Sequence, residues 1–242
     1  MLSWLVFIAG EIVSVWKFWR YKNESYDMKE YERFIHQCNM LVPFIDMGQE
    51  EVFKLFEDNY QQWHSFRSDS LPEAINTFDS FVRNINHSAY VLGYAYFEAY
   101  LGDLVKVILM QYPKKMSKNK NMTFSEIIEL TDYAAVLEAM VKKEIGQLFA
   151  GGMKSIIAYF EKPINLNWPE GKSSPAIECS LIRNCIVHNS SVVSEQLARE
   201  FPRWNLGDEI SLSTGDVHDS GLNVRDIAAS LDEQASRLLE SK

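Results

Sequence analysis

Beyond Tyr21 the apolar positions recur at intervals of three and four residues, the period of an amphipathic helix. This spacing predicts helices over 24–41 and 49–67, the second carrying Val52, Phe53, Phe56, Tyr60 and Trp63. Pro43 and Gly48 mark the break between them. Residues 72–111 read as one long helical region, with Pro72 near its start, where a missing N–H costs nothing. From about Ser88 that region is apolar nearly all round, through Val91, Leu92, Tyr94, Phe97, Leu101, Leu104, Val105 and Ile108. So little polar face marks a central helix packed on several sides. Thr123-Phe124-Ser125-Glu126 is a capping-box pattern that opens a further helix. Gly151-Gly152 punctuate the run to Phe160, and 163–175, with three Pro and a Gly, reads as a surface connection. A helix from Pro175 to Asn189 follows. Residues 207–213 alternate polar and apolar, which predicts a short strand in a small β-hairpin near the C-terminus. Asn223 then caps a last helix to Glu240, with Asp226 at its third position. The expected class is all-α: a helical domain over 71–242, preceded by an extension over 1–70 with extra helices.

Residues 2–19, LSWLVFIAGEIVSVWKFW, are the most apolar stretch. A spanning helix wants about 20 apolar residues, and Glu11 near the middle would cost about 2.5–3.5 kcal/mol there. No basic run precedes the stretch, which argues against a secretory signal. Its Val, Ile, Phe and Trp content equally permits a hairpin turning at Ala9-Gly10-Glu11. A packed element or a partner-binding surface is favoured over membrane contact.

Composition narrows the classes further. The 242 residues are 47% hydrophobic, ample for a large core, and three Cys without a CxxC pair make neither a disulfide framework nor a zinc site. A reducing, cytoplasmic setting is the expectation. The net charge of −9 argues against nonspecific adhesion to nucleic acid, which needs surplus Lys and Arg. The charge is uneven, however: residues 1–100 carry −6, residues 101–172 carry +2 and residues 173–242 carry −5. Lys114, Lys115, Lys118 and Lys120 form the densest basic run. They are either a solvated loop or a patch that steers RNA phosphates.

Enzyme signatures such as GxGxxG, the P-loop, HExxH and GxSxG are absent, and the five His show no metal-ligand spacing among themselves. One segment carries chemistry: Leu181-Ile182-Arg183-Asn184-Cys185-Ile186-Val187-His188-Asn189. With Leu181 at 0° on a helical wheel, Leu181, Ile182, Cys185, Ile186 and Asn189 fall within about 0–140°, a core-facing stripe. Arg183, Val187, Asn184 and His188 fall near 200°, 240°, 300° and 340°. Asn184 and His188 are i, i+4 neighbours, so one can orient the other. Val187, apolar and β-branched on this face, predicts a packing partner such as a second subunit. The plain alternative is a helix end with a surface Arg and a capping His.

RNCIVHN resembles the Arg-x4-His motif of the HEPN superfamily, with an Asn after the Arg. The apolar helix with Tyr96-Phe97-Glu98-Ala99-Tyr100 upstream is similar to that family's earlier core helix and its acidic residue. The resemblance covers roughly residues 70–240. Two departures stand out: many relatives have Gly after the His-Asn pair, where this chain has Ser190-Ser191, and the first 70 residues match nothing in the family.

The resemblance implies a helical bundle, a homodimer joining two motifs in one cleft, and metal-independent endoribonuclease activity without a cofactor. It also implies a role as a toxin or in antiviral defence, with an antitoxin or a sensor protein as partner. Arg183 and His188 would be catalytic, Asn184 would hold the imidazole or the phosphate, and Glu98 would orient Arg183 or polarise His188. The residue types suit the chemistry. Cleavage by the ribose 2′-OH needs a group that titrates near neutrality, as His does. It also needs a fixed positive charge on the phosphoryl oxygens, as Arg supplies. Other readings stay open: Glu98 as a buried partner of Arg, a noncatalytic HEPN-like dimerisation or nucleotide-binding module, and an effector tethered to a membrane by residues 2–19.

Overall fold

A computed structural model describes residues 31–37, 39, 71–117, 122–130 and 132–240. The apolar stretch 2–19, the helix expected over 49–67, and Lys118 and Lys120 lie outside them. Helix α1 (Leu71–Gln111) runs through the centre. Tyr90, Tyr94, Phe97, Tyr100, Leu101, Leu104, Val105, Ile108 and Leu109 are all buried on it, as a helix apolar on most sides must be. A 3-10 turn (Pro113–Lys115) follows, then α2 (Phe124–Ile128), α3 (Tyr133–Ala150), α4 (Gly152–Tyr159) and a π-helical turn (Phe160–Ile164). The chain closes with α5 (Ser173–His188), α6 (Glu195–Glu200) and α7 (Thr214–Glu240). The architecture is all-α.

Helix α1 packs against α7 most extensively, and against α3 and α5 on its other sides. Two tyrosines fix the α7 contact: the hydroxyl of buried Tyr100 on α1 donates to the Ala228 carbonyl at 3.0 Å, and that of half-buried Tyr112, just past the end of α1, to the Leu238 carbonyl at 2.8 Å. Residues 31–37, assigned above to the N-terminal extension, are helical and share this core. Phe34 stacks on Tyr100 at 5.3 Å, Tyr31 meets the same ring edge-on at 5.9 Å, and Arg33 pairs with Asp103.

Local signals explain most boundaries. Thr123 and Glu126 exchange the reciprocal bonds of a capping box, which opens α2. Between α3 and α4 the chain turns at Gly152, whose φ of 73° suits glycine.

Three expectations change. Residues 207–213 form no hairpin; among the described residues the only β feature is an antiparallel bridge between Val192 and Glu209. The alternation was real, since Ile210 and Leu212 are buried. However, their carbonyls are taken by α1 side chains, Ile210 by His87 and Leu212 by Asn86. The last helix opens at Thr214 and not after Asn223. Ser213 and Asp216 cap it reciprocally: the Ser213 N–H donates to the Asp216 carboxylate at 2.8 Å, and the Asp216 N–H to the Ser213 hydroxyl at 3.1 Å. Buried Val217 and Val224 then hold the helix through its glycines at 215 and 221. Finally, the connection over 163–175 is anchored, because Ile164, Leu166 and Trp168 are buried, Trp168 edge-on against Phe160 at 5.9 Å.

Candidate functional site

The contact between α1 and α5 assembles the cluster. Leu181, Ile182 and Cys185 are buried on the core face of α5, as the wheel predicts, while Asn189 is exposed and serves as the helix C-cap. This seating turns Arg183 toward α1, where it forms an ion pair with Glu98. About a quarter of each side chain is exposed, 23% for Arg183 and 24% for Glu98. The other arm of the guanidinium donates to the Asn184 amide oxygen at 2.8 Å. The plane lies over the Tyr94 ring at 5.4 Å, a cation–π contact. Tyr94 and Glu98 are one turn apart on α1, so one face of that helix supplies both partners. Burial pushes the Tyr94 phenol well up, so the ring stays neutral under the cation.

Asn184 therefore turns its amide oxygen to Arg183, whereas the i, i+4 spacing suggested an exchange with His188. His188 is the last residue of α5 and is exposed. It lies about 7–8 Å beyond Arg183 along the axis. Val187 is 48% exposed, so the described chain leaves about half of this apolar side chain uncovered beside the motif.

The loop after the motif is strained and clamped. Ser190 and Ser191 adopt φ of 52° and 62°, the left-handed region that disfavours a Cβ. Buried His87 holds the loop from α1: its Nε2 donates to the Ile210 carbonyl at 3.0 Å, and its Nδ1 accepts from the Ser191 hydroxyl at 3.3 Å. Beside it Arg83 pairs with Glu209 at 2.8 Å. Burial is the main reason the His87 imidazole titrates below its ordinary value; Arg83 adds to this, and the Ile210 carbonyl and Glu209 oppose it.

The two described lysines of the basic run lie elsewhere. Lys114 is exposed, but Lys115 donates its ammonium to the Ile164 carbonyl at 2.7 Å and closes the π-helical turn. Both follow the end of α1, about 20 Å along its axis from Glu98. The described chain brings Glu98, Arg183 and Asn184 together, with His188 one turn on, and leaves these lysines apart. No protein-family model, curated protein or solved structure matches the chain.

Spacing missed two participants. Tyr94 carried a signal, its position four residues before Glu98, but it reads as one more apolar residue of a central helix. His87 carried none, because its partners come from residues more than a hundred positions away. Among the described residues no group of three or more His, Cys, Asp or Glu could hold a metal ion, and no helix is long and apolar enough to cross a membrane.

Proposed function

We propose that this chain is a metal-independent endoribonuclease of HEPN type, acting through a composite site at a homodimer interface as a toxin or antiviral-defence effector. The observation that carries the reading is the cluster itself: Glu98, Arg183 and Asn184 in contact, with an exposed His188 one turn further on the same helix. Arg183 is held on three sides by Tyr94, Glu98 and Asn184. Fixing a charge in advance lowers the reorganisation needed when a phosphorane develops.

Transesterification needs a base for the 2′-OH and an acid for the leaving 5′-oxygen. One chain offers a single motif histidine, and a second copy docked on the Val187 face offers the other. The products are a 2′,3′-cyclic phosphate and a 5′-hydroxyl. Replacing His188 by Ala slows cleavage by about 10²–10⁴-fold, the usual contribution of a general acid or base. A purified His188→Ala chain that cuts as fast as the parent would end this reading.

One observation favours a second reading. The Arg183 charge is already neutralised within its own chain by Glu98, which suits a noncatalytic HEPN-like module that dimerises or binds a nucleotide for a protein partner. That reading requires stable association with no cleavage at any protein concentration.

A further inference from the structure

On the side of α5 turned away from the motif, α5, α7 and the chain after α6 line an open cavity of about 550 Å³. That volume lies inside the range of about 300–1,000 Å³ found for small-ligand sites. On the helical wheel used above, Glu178, Ile182 and Cys179 fall near 60°, 100° and 160°. The motif residues cluster near 200–340°. The cavity and the motif therefore occupy different faces of one helix, and a partner covering Val187 leaves the cavity open.

Its lining selects for charge. The floor is neutral: Ile182 and Leu212 are apolar, and the Cys179 thiol exchanges a hydrogen bond with the Ser220 hydroxyl at 3.3 Å. Burial pushes the thiol up, which leaves it a poor nucleophile. At one end sits Glu178, only 15% exposed. One of its oxygens accepts from the Trp204 indole N–H at 2.8 Å and from Arg203 Nε at 2.6 Å. The Arg203 guanidinium also lies over the Trp204 ring at 5.2 Å, yet its side chain remains 65% exposed.

A mostly buried carboxylate beside an indole face is a cation receptor, and the chain's own guanidinium already sits in it. Around the rest of the cavity Lys172 neutralises Asp226 at 2.8 Å. Asp216 and Asp219 add negative charge; Asp219 is 85% exposed and faces His218 at 3.8 Å. Such a field repels phosphates and carboxylates.

We propose that the α5–α7 cavity binds a guanidinium or alkylammonium group carried on an apolar stem, seated against the Glu178 carboxylate and over the face of the Trp204 ring, with Arg203 as its tethered competitor. The stem lies along Ile182 and Leu212. Displacing Arg203 is cheap, because a side chain this exposed gains little from its ion pair. The site stands whether or not Arg183 and His188 cleave RNA.

The test is a titration of the whole chain with butylguanidinium and its uncharged counterpart butylurea, followed by the NMR signal of the Trp204 indole N–H. Butylguanidinium shifts that signal and butylurea does not. Arg203→Ala removes the competitor and tightens binding by about two- to fivefold. Glu178→Gln abolishes it; should that variant not fold, Asp219→Asn at the exposed rim weakens binding by about twofold at low salt. The peptide acetyl-Ala-Arg-Ala-amide distinguishes the source of the cation. Binding at least about tenfold tighter than butylguanidinium assigns the site to a basic side chain of a protein partner, and equal affinity assigns it to a small free cation. Equal binding of butylurea, or an affinity unmoved by Arg203→Ala, overturns the proposal.

Discussion

The Glu98–Arg183 pair lends itself to a quantitative test, because it sits between two regimes. Exposed ion pairs contribute about 0.2–1 kcal/mol, and removing one partner from a buried pair costs about 3–5 kcal/mol. Here about a quarter of each side chain is exposed, and the guanidinium has two further partners in Tyr94 and Asn184. A double-mutant cycle with Glu98→Gln, Arg183→Met and the double variant should give a coupling of about 1–3 kcal/mol, measured by urea denaturation. The two single variants differ in kind. Glu98→Gln leaves a charge that still lies on an aromatic face and donates to an amide oxygen. Arg183→Met leaves a half-buried carboxylate without its cation and also removes the Tyr94 and Asn184 contacts, so it should cost more than Glu98→Gln. A coupling below about 0.5 kcal/mol would refute the claim that the pair fixes Arg183.

Two further outcomes follow from the loop beyond the motif. The folded His87 titrates below 6.5, so the unfolded chain takes up the proton first. Its contribution is complete above about pH 6.5 and is lost as pH falls through the folded value; denaturation series should show this loss in the parent and a smaller one in His87→Gln. At Ser190, whose φ is 52°, replacement by Gly relieves left-handed strain and should raise stability by about 0.5–1 kcal/mol in the same assay. A loss of stability there would contradict the strain argument.

The helical body was legible because its signals are local. The all-round apolarity of α1, the Thr123 capping box and the Gly151-Gly152 break each act within a turn or two. The β-hairpin expected near 207–213 failed for a non-local reason. Alternation reports which side chains are buried, as Ile210 and Leu212 are, and says nothing about what satisfies their carbonyls. Asn86 and His87 do that from more than a hundred residues away. The start of α7 was misread because Asn223 is a good capping residue in isolation, while the true cap is the Ser213–Asp216 exchange. At the site, the order of residues on α5 gave the motif face, but contacts between helices decided the pairings. Arg183 meets Glu98 and Tyr94 through packing of α1 on α5, and Asn184 turns to Arg183 instead of His188. Lys114 and Lys115 show the converse: grouped in sequence as one basic patch, they lie past the far end of α1, and Lys115 donates to the Ile164 carbonyl.

The composite Arg/His site is tested most directly by the ends of the cut. The purified chain, incubated with single-stranded RNA in EDTA, should yield fragments whose mass corresponds to a 2′,3′-cyclic phosphate and a 5′-hydroxyl, and the His188→Ala chain should yield none above background. Fragments ending in a 5′-phosphate, or cleavage that requires an added divalent metal, would contradict it.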